Sequence, residues 1–439
     1  MTRSRTTIAA LATALAGTLA LAAGAQAVTY PPPAKPETIA KPKGPFKTHS
    51  VCKTGCDFKT IQAAVNAAKA GDTIKVSKGT YPGLVSIKGA SKRYLKIIGD
   101  PKNPENVKLD GTKTKAGSGV TINGAASVTI NGFSARGYKA NGFFVVNTTG
   151  YTLTNLSAKF DGVYGIYAFN SVGGTISHSV AAWNNDSGFY IGETPPQAKP
   201  QRSIVSNVTA YGNVLGFSGT NMRYVTITKS KWFNNGLGIV PNALDSEKYA
   251  PPEDNVITDN DIFFNNWDYF QGAPFKLRAG ATGDIAYPVG TGILLFGGRR
   301  ATVTKNRIFG NYLIGVGAIQ QLLLKQQDAK DLVGNAVHDN VFGNGGKNTN
   351  GRDLFYDGTG TDNCFGPNVG VAVTVPANGS TMNPCPFKGA NTFDAAAQGE
   401  AVNWTITDPT HEAFWVKNPQ AAVAGVTPLE RWTKAIGTK

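Results

Sequence analysis

Trp183-Asn184-Asn185 decides the fold, because its pattern (an aromatic residue, any residue, then asparagine) returns five more times in this 439-residue chain. It comes back as Tyr211-Gly212-Asn213, Phe233-Asn234-Asn235, Phe264-Asn265-Asn266, Phe309-Gly310-Asn311 and Phe342-Gly343-Asn344. Three or four residues after most of these asparagines, a glycine opens a short apolar run. Such glycines stand at Gly119, Gly142, Gly165, Gly188, Gly216, Gly238, Gly292 and Gly315. Successive differences are 23, 23, 23, 28, 22, 54 and 23 residues. A period of that length, carried by short strands and Asn/Gly corners, marks a solenoid.

Each repeat holds three short strands. Gly165-Ile166-Tyr167-Ala168 is an opening strand, Val128-Thr129-Ile130 a second and Leu156-Ser157-Ala158 a third. A polar corner (Asn131, Asn155, His178, Asn207, Asn306) separates the second from the third. Three strands and three turns make one coil, stacked about 4.8 Å from the next in parallel register. Corner asparagines repeated in this way are expected to be buried and to hydrogen-bond to one another and to backbone, a structural role that His178 shares by position. The expected fold is all-β: a parallel β-helix of about ten coils over residues 51–350.

Ahead of the coils, residues 1–27 read as an export signal: Arg3 and Arg5, an uncharged Ile8–Ala23 core, and Ala25-Gln26-Ala27 as the cleavage site. A retained anchor is the alternative. No later segment is long and apolar enough to span a bilayer. The expected location is therefore secreted or cell-surface, as a monomer. Residues 28–50 are Pro/Lys-rich and read as a tether. Asp57–Ala70 is the one clear helix, with Asp57 as cap and Ile61, Ala64, Val65 and Ala68 as its apolar face. Its expected job is to cover the open end of the solenoid. From 351 to 439 the period is lost, and Trp404, Phe414, Trp415 and Trp432 suggest a C-terminal cap. Of the three pairings open to Cys52, Cys56, Cys364 and Cys385, local bridges at each end suit a long rod. A zinc site finds no support in their spacing.

The formal charge is +15, or +13 once Arg3 and Arg5 leave with the signal. A basic surface draws polyanions, here an acidic polysaccharide or an anionic cell-wall polymer. Lys and Arg do not cluster with interleaved aromatics, which argues against nucleic acid.

The repeats from Gly119 to Asn344, with the helix and Gly79-Thr80-Tyr81-Pro82-Gly83 before them, resemble the right-handed parallel β-helix proteins of the pectate-lyase-like superfamily. The resemblance implies a secreted protein whose substrate groove lies over one sheet between long loops. It does not choose among lyases, epimerases, hydrolases, esterases and non-catalytic surface proteins, because its motifs are structural. The Asn-Thr-Asp, Asp-Asp, Gly-His-Gly and Arg-Ile-Lys signatures of polygalacturonases are absent, as are Trp-x-Asp-His of pectate lyases and Gln-Asp-Thr of pectin esterases. Asp408-Pro409-Thr410-His411 only approximates the Asp-Pro-His-Asp motif of alginate epimerases. Four His and three Met give no evident copper cluster.

Repeat arithmetic places the dispensable loops. Three residues usually separate the asparagine from its glycine, but 26 separate Asn266 from Gly292. A plain coil takes 19 residues from glycine to the next asparagine, whereas 28 follow Gly238 and 29 follow Gly315. Loops of this size on a rigid scaffold are where binding and catalysis gather. Alternation points Phe144, Tyr167 and Tyr190 outward as an aromatic stripe suited to stacking on sugars, unless loops or the tether cover it; Ser218, Val240 and Leu294 continue the row. Asp245, Glu247 and Asp254 stand on one wall and Asp268, Lys276, Arg278 and Asp284 on the other, with Arg299 and Arg300 after the Gly292 strand. Lyase or epimerase chemistry on a uronate needs its carboxylate neutralised and a base for the C5 proton. Arg278, Arg299 and Arg300 are the candidate neutralisers and Lys276 the candidate base; hydrolysis would use Asp245 and Asp268 instead. No cofactor is required and no metal ligands are assigned, although calcium is compatible with a lyase. The two functional expectations are a uronate-polysaccharide lyase or epimerase and a non-catalytic wall-binding protein.

Overall fold

The computed structural model describes residues 39–244, 247–267, 287–321, 331–345 and 349–406. Among them, strands form two large parallel sheets. A front sheet of 11 strands runs from Val85–Lys88 to Thr374–Val375, and a back sheet of 20 strands carries the rest of each coil. Register holds coil after coil: Ile166 lies beside Phe143 and Phe189, and Tyr167 beside Phe144 and Tyr190. The 54-residue spacing leaves the ladder untouched, since Ile239 pairs with Ile293 and the surplus is looped out. Inward residues of the front sheet (Ile166, Phe189, Phe217, Ile239, Ile293, Val316) are completely buried in one continuous core. Each is worth roughly 1.5–3 kcal/mol over exposure, and stacking repeats that gain.

The corner leading into the front sheet explains the recurring motif. One residue adopts the left-handed conformation there: Trp183, Gly212, Asn234, Phe264 or Gly310. The next is a fully buried asparagine: Asn184, Asn213, Asn235, Asn265 or Asn311. The Asn235 side-chain oxygen accepts from the Asn213 backbone N–H (3.1 Å) and the Asn213 side-chain amide (3.0 Å). Its own amide donates to the carbonyls of Ala210 and Phe233 (3.1 and 3.2 Å) and to Asn265 Oδ1 (3.0 Å). The chain of amides runs from Asn184 through Asn213, Asn235, Asn265 and Asn311 to Asn350. It satisfies backbone groups that would otherwise be buried without partners.

The repeating glycines follow from the ladder. A Cβ on Gly165, Gly188, Gly216, Gly238 or Gly292 would sit 2.8–3.0 Å from the asparagine amide of the next coil and no more than 3.1 Å from the backbone carbonyl of the next coil's glycine. Space, not φ, demands glycine there. The sequence motif mixes two registers: Tyr211, Phe233 and Phe309 end strands, whereas Trp183 and Phe264 are themselves the left-handed residues. Their rings fill the room a side chain at Gly212 or Gly310 would need.

The polar corner of the back sheet needs a one-residue correction. Asn155, His178 and Asn207 are left-handed residues on the outer side of the turn. Asn306 instead belongs to the buried position that follows, in a second ladder through Asn260, Asn306, Asn340 and Asn368. A third ladder joins Asn335, Asn363 and Asn391.

Both ends differ in detail from expectation. The N-terminal helix is Ile61–Ala67, capped by Thr60; Asp57 instead accepts from the Ser50 backbone and hydroxyl (2.8 and 2.9 Å). The helix lies on the first coil with Ile61, Ala64 and Val65 buried. Gln62 closes the front sheet's open edge: its carbonyl oxygen accepts from Ser86 N (2.6 Å) and its amide donates to Ser86 O (3.2 Å). Thr48–Val51 is a strand beside Thr73–Val76, not tether. The disulfides are the local ones, Cys52–Cys56 and Cys364–Cys385. Coiling continues beyond residue 350, with front strands Leu354–Tyr356 and Thr374–Val375, because the ladders persist where the spacing becomes irregular. An unexpected helix, Ala395–Ile406, seats Trp404 on Phe355 (ring centroids 4.9 Å). The export signal, the tether up to residue 38, and the chain from 407 on, with Phe414, Trp415 and Trp432, lie outside the described residues.

Asp161 takes the asparagine's place in the coil before Asn184. Its backbone N–H donates to Asn184 Oδ1, and its Oδ1 accepts from Tyr138 N, both at 3.0 Å. Burial pushes its carboxyl well above the usual carboxylate range. The native state therefore holds a proton that the unfolded chain releases above about pH 4, so stability falls as pH rises from there. Asp161→Asn should raise the melting temperature at pH 7–8, with the difference from the parent shrinking as pH approaches 4. Melting curves across that range check this.

Candidate functional site

The outward row of the front sheet begins as an aromatic cluster. Phe144 stacks on Tyr167 (centroids 4.7 Å, planes 15° apart), while Tyr190 meets Tyr167 edge-on (4.7 Å, 83°). Tyr164, from the turn before the strand, accounts for the change of angle. Its ring lies 4.6 Å from Tyr167 and 4.9 Å from Tyr190. Phe144, Tyr164 and Tyr167 are half-buried, whereas Tyr190 is buried.

A carboxyl group stands at the buried end of this cluster. The Tyr190 hydroxyl donates to Glu247 Oε1 (3.1 Å), and the Asn221 amide donates to Oε2 (3.3 Å). Asn221, fully buried in a left-handed conformation, also clamps the loop that carries Glu247. It donates to Leu244 O (2.6 Å) and accepts from Leu244 N (3.0 Å). Burial raises the Glu247 pKa to about 7, the Glu193 charge adds to the rise, and the bonds from Tyr190 and Asn221 oppose it. Glu193 directly follows the Tyr190 strand and is itself buried. Burial and the Glu247 charge push the Tyr167 and Tyr190 hydroxyls up, so both remain donors. The arrangement is a ring platform ending in a proton-transfer group poised near neutrality.

The other residues singled out from sequence fall elsewhere. Asp245, Asp268, Lys276, Arg278 and Asp284 lie outside the described residues. Arg299 and Arg300 do follow the Thr291–Phe296 strand, but they face protein carboxylates. Arg300 grips Asp254 with two bonds (2.7 and 2.9 Å) and lies 3.4 Å from Glu253, which also meets Arg299 (3.8 Å) and buried Arg223 (3.2 Å). These pairs tie successive turns together, so Arg299 and Arg300 each face a protein carboxylate. Nor is the row open from Tyr190 onward: Tyr190, Ser218, Val240 and Leu294 are 4%, 5%, 0% and 2% exposed, so Tyr190 points outward but is covered and offers no free face for stacking. Val240 and Leu294 belong to a second apolar cluster with Trp267, Val289, Phe355 and Trp404. The geometry gathers Phe144, Tyr167, Tyr190 and Glu247 into one site, displaced towards the N-terminus from the place the loop arithmetic indicated. Tyr164 was missed; its signal was its place three residues before an outward tyrosine. Among the described residues, no group of three or more His, Cys, Asp or Glu is placed to hold a metal, and no helix is long and apolar enough to cross a membrane.

The family model described as a right-handed beta helix region matches residues 118–387. Among solved structures, the A-module of Azotobacter vinelandii mannuronan C-5 epimerase AlgE4 is 15% identical, covers 76% of this chain and 95% of its own, and superposes with a TM-score of 0.50. The AlgE6 A-module from the same organism is 17% identical over 72% of this chain and 93% of its own, with a TM-score of 0.48. A rhamnogalacturonan lyase is 13% identical over 70% and 84%, also at 0.48. At such identities the likeness is one of fold. No protein of curated function matches the sequence.

Carboxyl-carbon NMR of the protein labelled at glutamate should show Glu247 titrating at about 7. In Tyr190→Phe the carboxylate loses a donor, so the midpoint should move upward.

Proposed function

The chain belongs to the right-handed β-helix family, and on that premise we propose that it is an exported, carbohydrate-active protein that takes a uronate-containing polysaccharide along Phe144 and Tyr167, with buried Tyr190 linking this surface to Glu247. Glu247 is its proton-transfer group. One observation carries the reading: the Tyr190–Glu247 hydrogen bond, at the end of an aromatic row, on a carboxyl whose pKa lies near 7.

β-Elimination and C5 epimerisation share a first step, removal of the proton at C5 next to the substrate carboxylate. Ionised Glu247 is the base for that step. Tyr167, which stays protonated, offers its O–H group to the charge that develops, while the Tyr190 O–H holds the Glu247 carboxylate in place. Protonated Glu247 can instead donate to the incoming carboxylate, which lets an anionic chain approach a site that also holds Glu193. The net positive charge of the chain draws such a polymer in. Two disulfides fit an oxidising, extracytoplasmic setting. The Azotobacter module that shares the fold is by name a mannuronan C-5 epimerase, which agrees with the C5 chemistry assigned to Glu247.

A second reading, glycoside hydrolysis, is favoured by the electrostatic contact between Glu193 and Glu247, since a pair of neighbouring carboxyl groups is what acid–base hydrolysis uses. Incubation with a panel of polyuronates, with and without calcium, separates the possibilities. Ultraviolet absorbance of an unsaturated uronate reports elimination, proton NMR in deuterated water reports C5 exchange, and reducing ends without absorbance report hydrolysis. Glu247→Gln should cut turnover at least about a hundredfold while leaving polymer binding in place. Binding by both proteins with no product from either would leave a non-catalytic wall-binding protein.

A further inference from the structure

A cavity of about 250 Å³ lies on the back sheet, away from Glu247. Its floor is Ser134 and Ser157, paired in register on neighbouring coils and each 4% exposed. Arg136 and Lys159, two residues on along the same strands, rise beside them, with Phe160 next to Lys159. Glu105, from the short 3-10 helix Pro104–Asn106, closes the other side. Glu105 Oε1 accepts from the Ser157 hydroxyl (2.8 Å) and from Lys159 Nζ (3.1 Å). The Ser134 hydroxyl also bonds to this carboxylate and helps to hold it in the ionised form. The Arg136 guanidinium lies 5.9 Å from the Phe160 ring centroid. Its register partner Asp110 feels its charge but is also paired with Lys113 (3.7 Å), so Arg136, Lys113 and Lys159 together carry one charge more than Asp110 and Glu105 answer.

We propose that this cavity binds a single carboxylated sugar residue, a second carbohydrate site on the back sheet rather than on the front sheet that carries the aromatic row. The volume is below the roughly 300–1,000 Å³ typical of sites for drug-sized ligands and suits one ring. Arg136 supplies a planar, bidentate donor for the carboxylate, and the Glu105 carboxylate, with lone pairs on both oxygens, an acceptor for ring hydroxyls. Phe160 offers an apolar edge to the sugar's C–H face. One cation beyond the Glu105–Lys159 pair leaves the cavity net positive, so a bare neutral sugar lacks its strongest partner. Naming a uronate rests on the proposed function; the preference for an anionic sugar rests on the cavity alone. A polymer held at both faces gains avidity, because the second contact becomes intramolecular.

The experiment is titration of the full protein with free galacturonate and glucuronate, with glucose and acetate as controls, followed by NMR shifts of the backbone amides of Ser134, Ser157 and Phe160. Uronate should shift these amides saturably, glucose and acetate far less. Arg136→Ala should weaken binding about tenfold or more at unchanged melting temperature, since Arg136 is exposed. Glu247→Gln should leave it unaltered. Acetate binding as well as uronate would overturn the proposal in favour of a simple anion patch, as would shifts unaffected by Arg136→Ala. If uronate binds the cavity but no polyuronate is turned over, the proposal stands and the catalytic reading of Glu247 falls. If glucose binds as well as uronate, the proposal falls whatever Glu247 does.

Discussion

Everything in this molecule hangs on one line of hydrogen bonds, the buried asparagine amides from Asn184 to Asn350. Three strands per coil must turn three times, and each turn frees backbone groups that strands cannot satisfy and that the buried corner must pair within the protein. An asparagine answers this because it can accept from one coil and donate to another. The asparagine amide and the backbone carbonyl of the next coil together leave no room for a Cβ on the glycine of the neighbouring coil. Asparagine and glycine are thus one device, and their joint spacing is the pitch of the fold.

That rigidity is what gives the outward row its meaning. Phe144, Tyr167 and Tyr190 lie in register because the strands beneath them cannot slip. Functional variation is then a matter of what is added between coils. The loop after Leu237–Asn242 delivers Glu247 to Tyr190, and Asn221, from the preceding coil, fixes the loop's base. The same loop sends Glu253 and Asp254 to Arg223, Arg299 and Arg300. One insertion therefore carries a strut at one end and a titrating group at the other. The strut keeps the carboxyl from swinging into solvent, where its pKa would return to the ordinary range.

The glycine spacing was enough to read the repeat, its parallel stacking and both local disulfides, because those depend on intervals along the chain. Position within the corner was not. Trp183 and Phe264 look like Tyr211 and Phe233 in sequence, yet they stand one residue further round the turn, and only the partner strands reveal it. Asp161 was likewise invisible as a ladder member, since no aromatic precedes it by two residues. In the site, Tyr167, Tyr190 and Glu247 were each legible as candidates. Their convergence was not, because it depends on which of several acidic loop residues Asn221 holds in place. Arg299 and Arg300 looked available for the converse reason: their partners come from a loop about 46 residues earlier, a distance that sequence does not connect. The helix Ala395–Ile406 escaped notice because Gly399 interrupts an alanine-rich stretch with little periodicity.

The claim that the asparagine line holds the coils together is tested most directly by native-state hydrogen exchange. The backbone amides of Asn213, Asn235, Asn265 and Asn311 sit in turns, and each donates to the asparagine of the next coil. They should exchange only through global unfolding, as slowly as the core amides of Phe217 and Ile239. Exchange at the rate of ordinary exposed turns would mean that the amides are not continuously bonded and that packing alone stacks the coils.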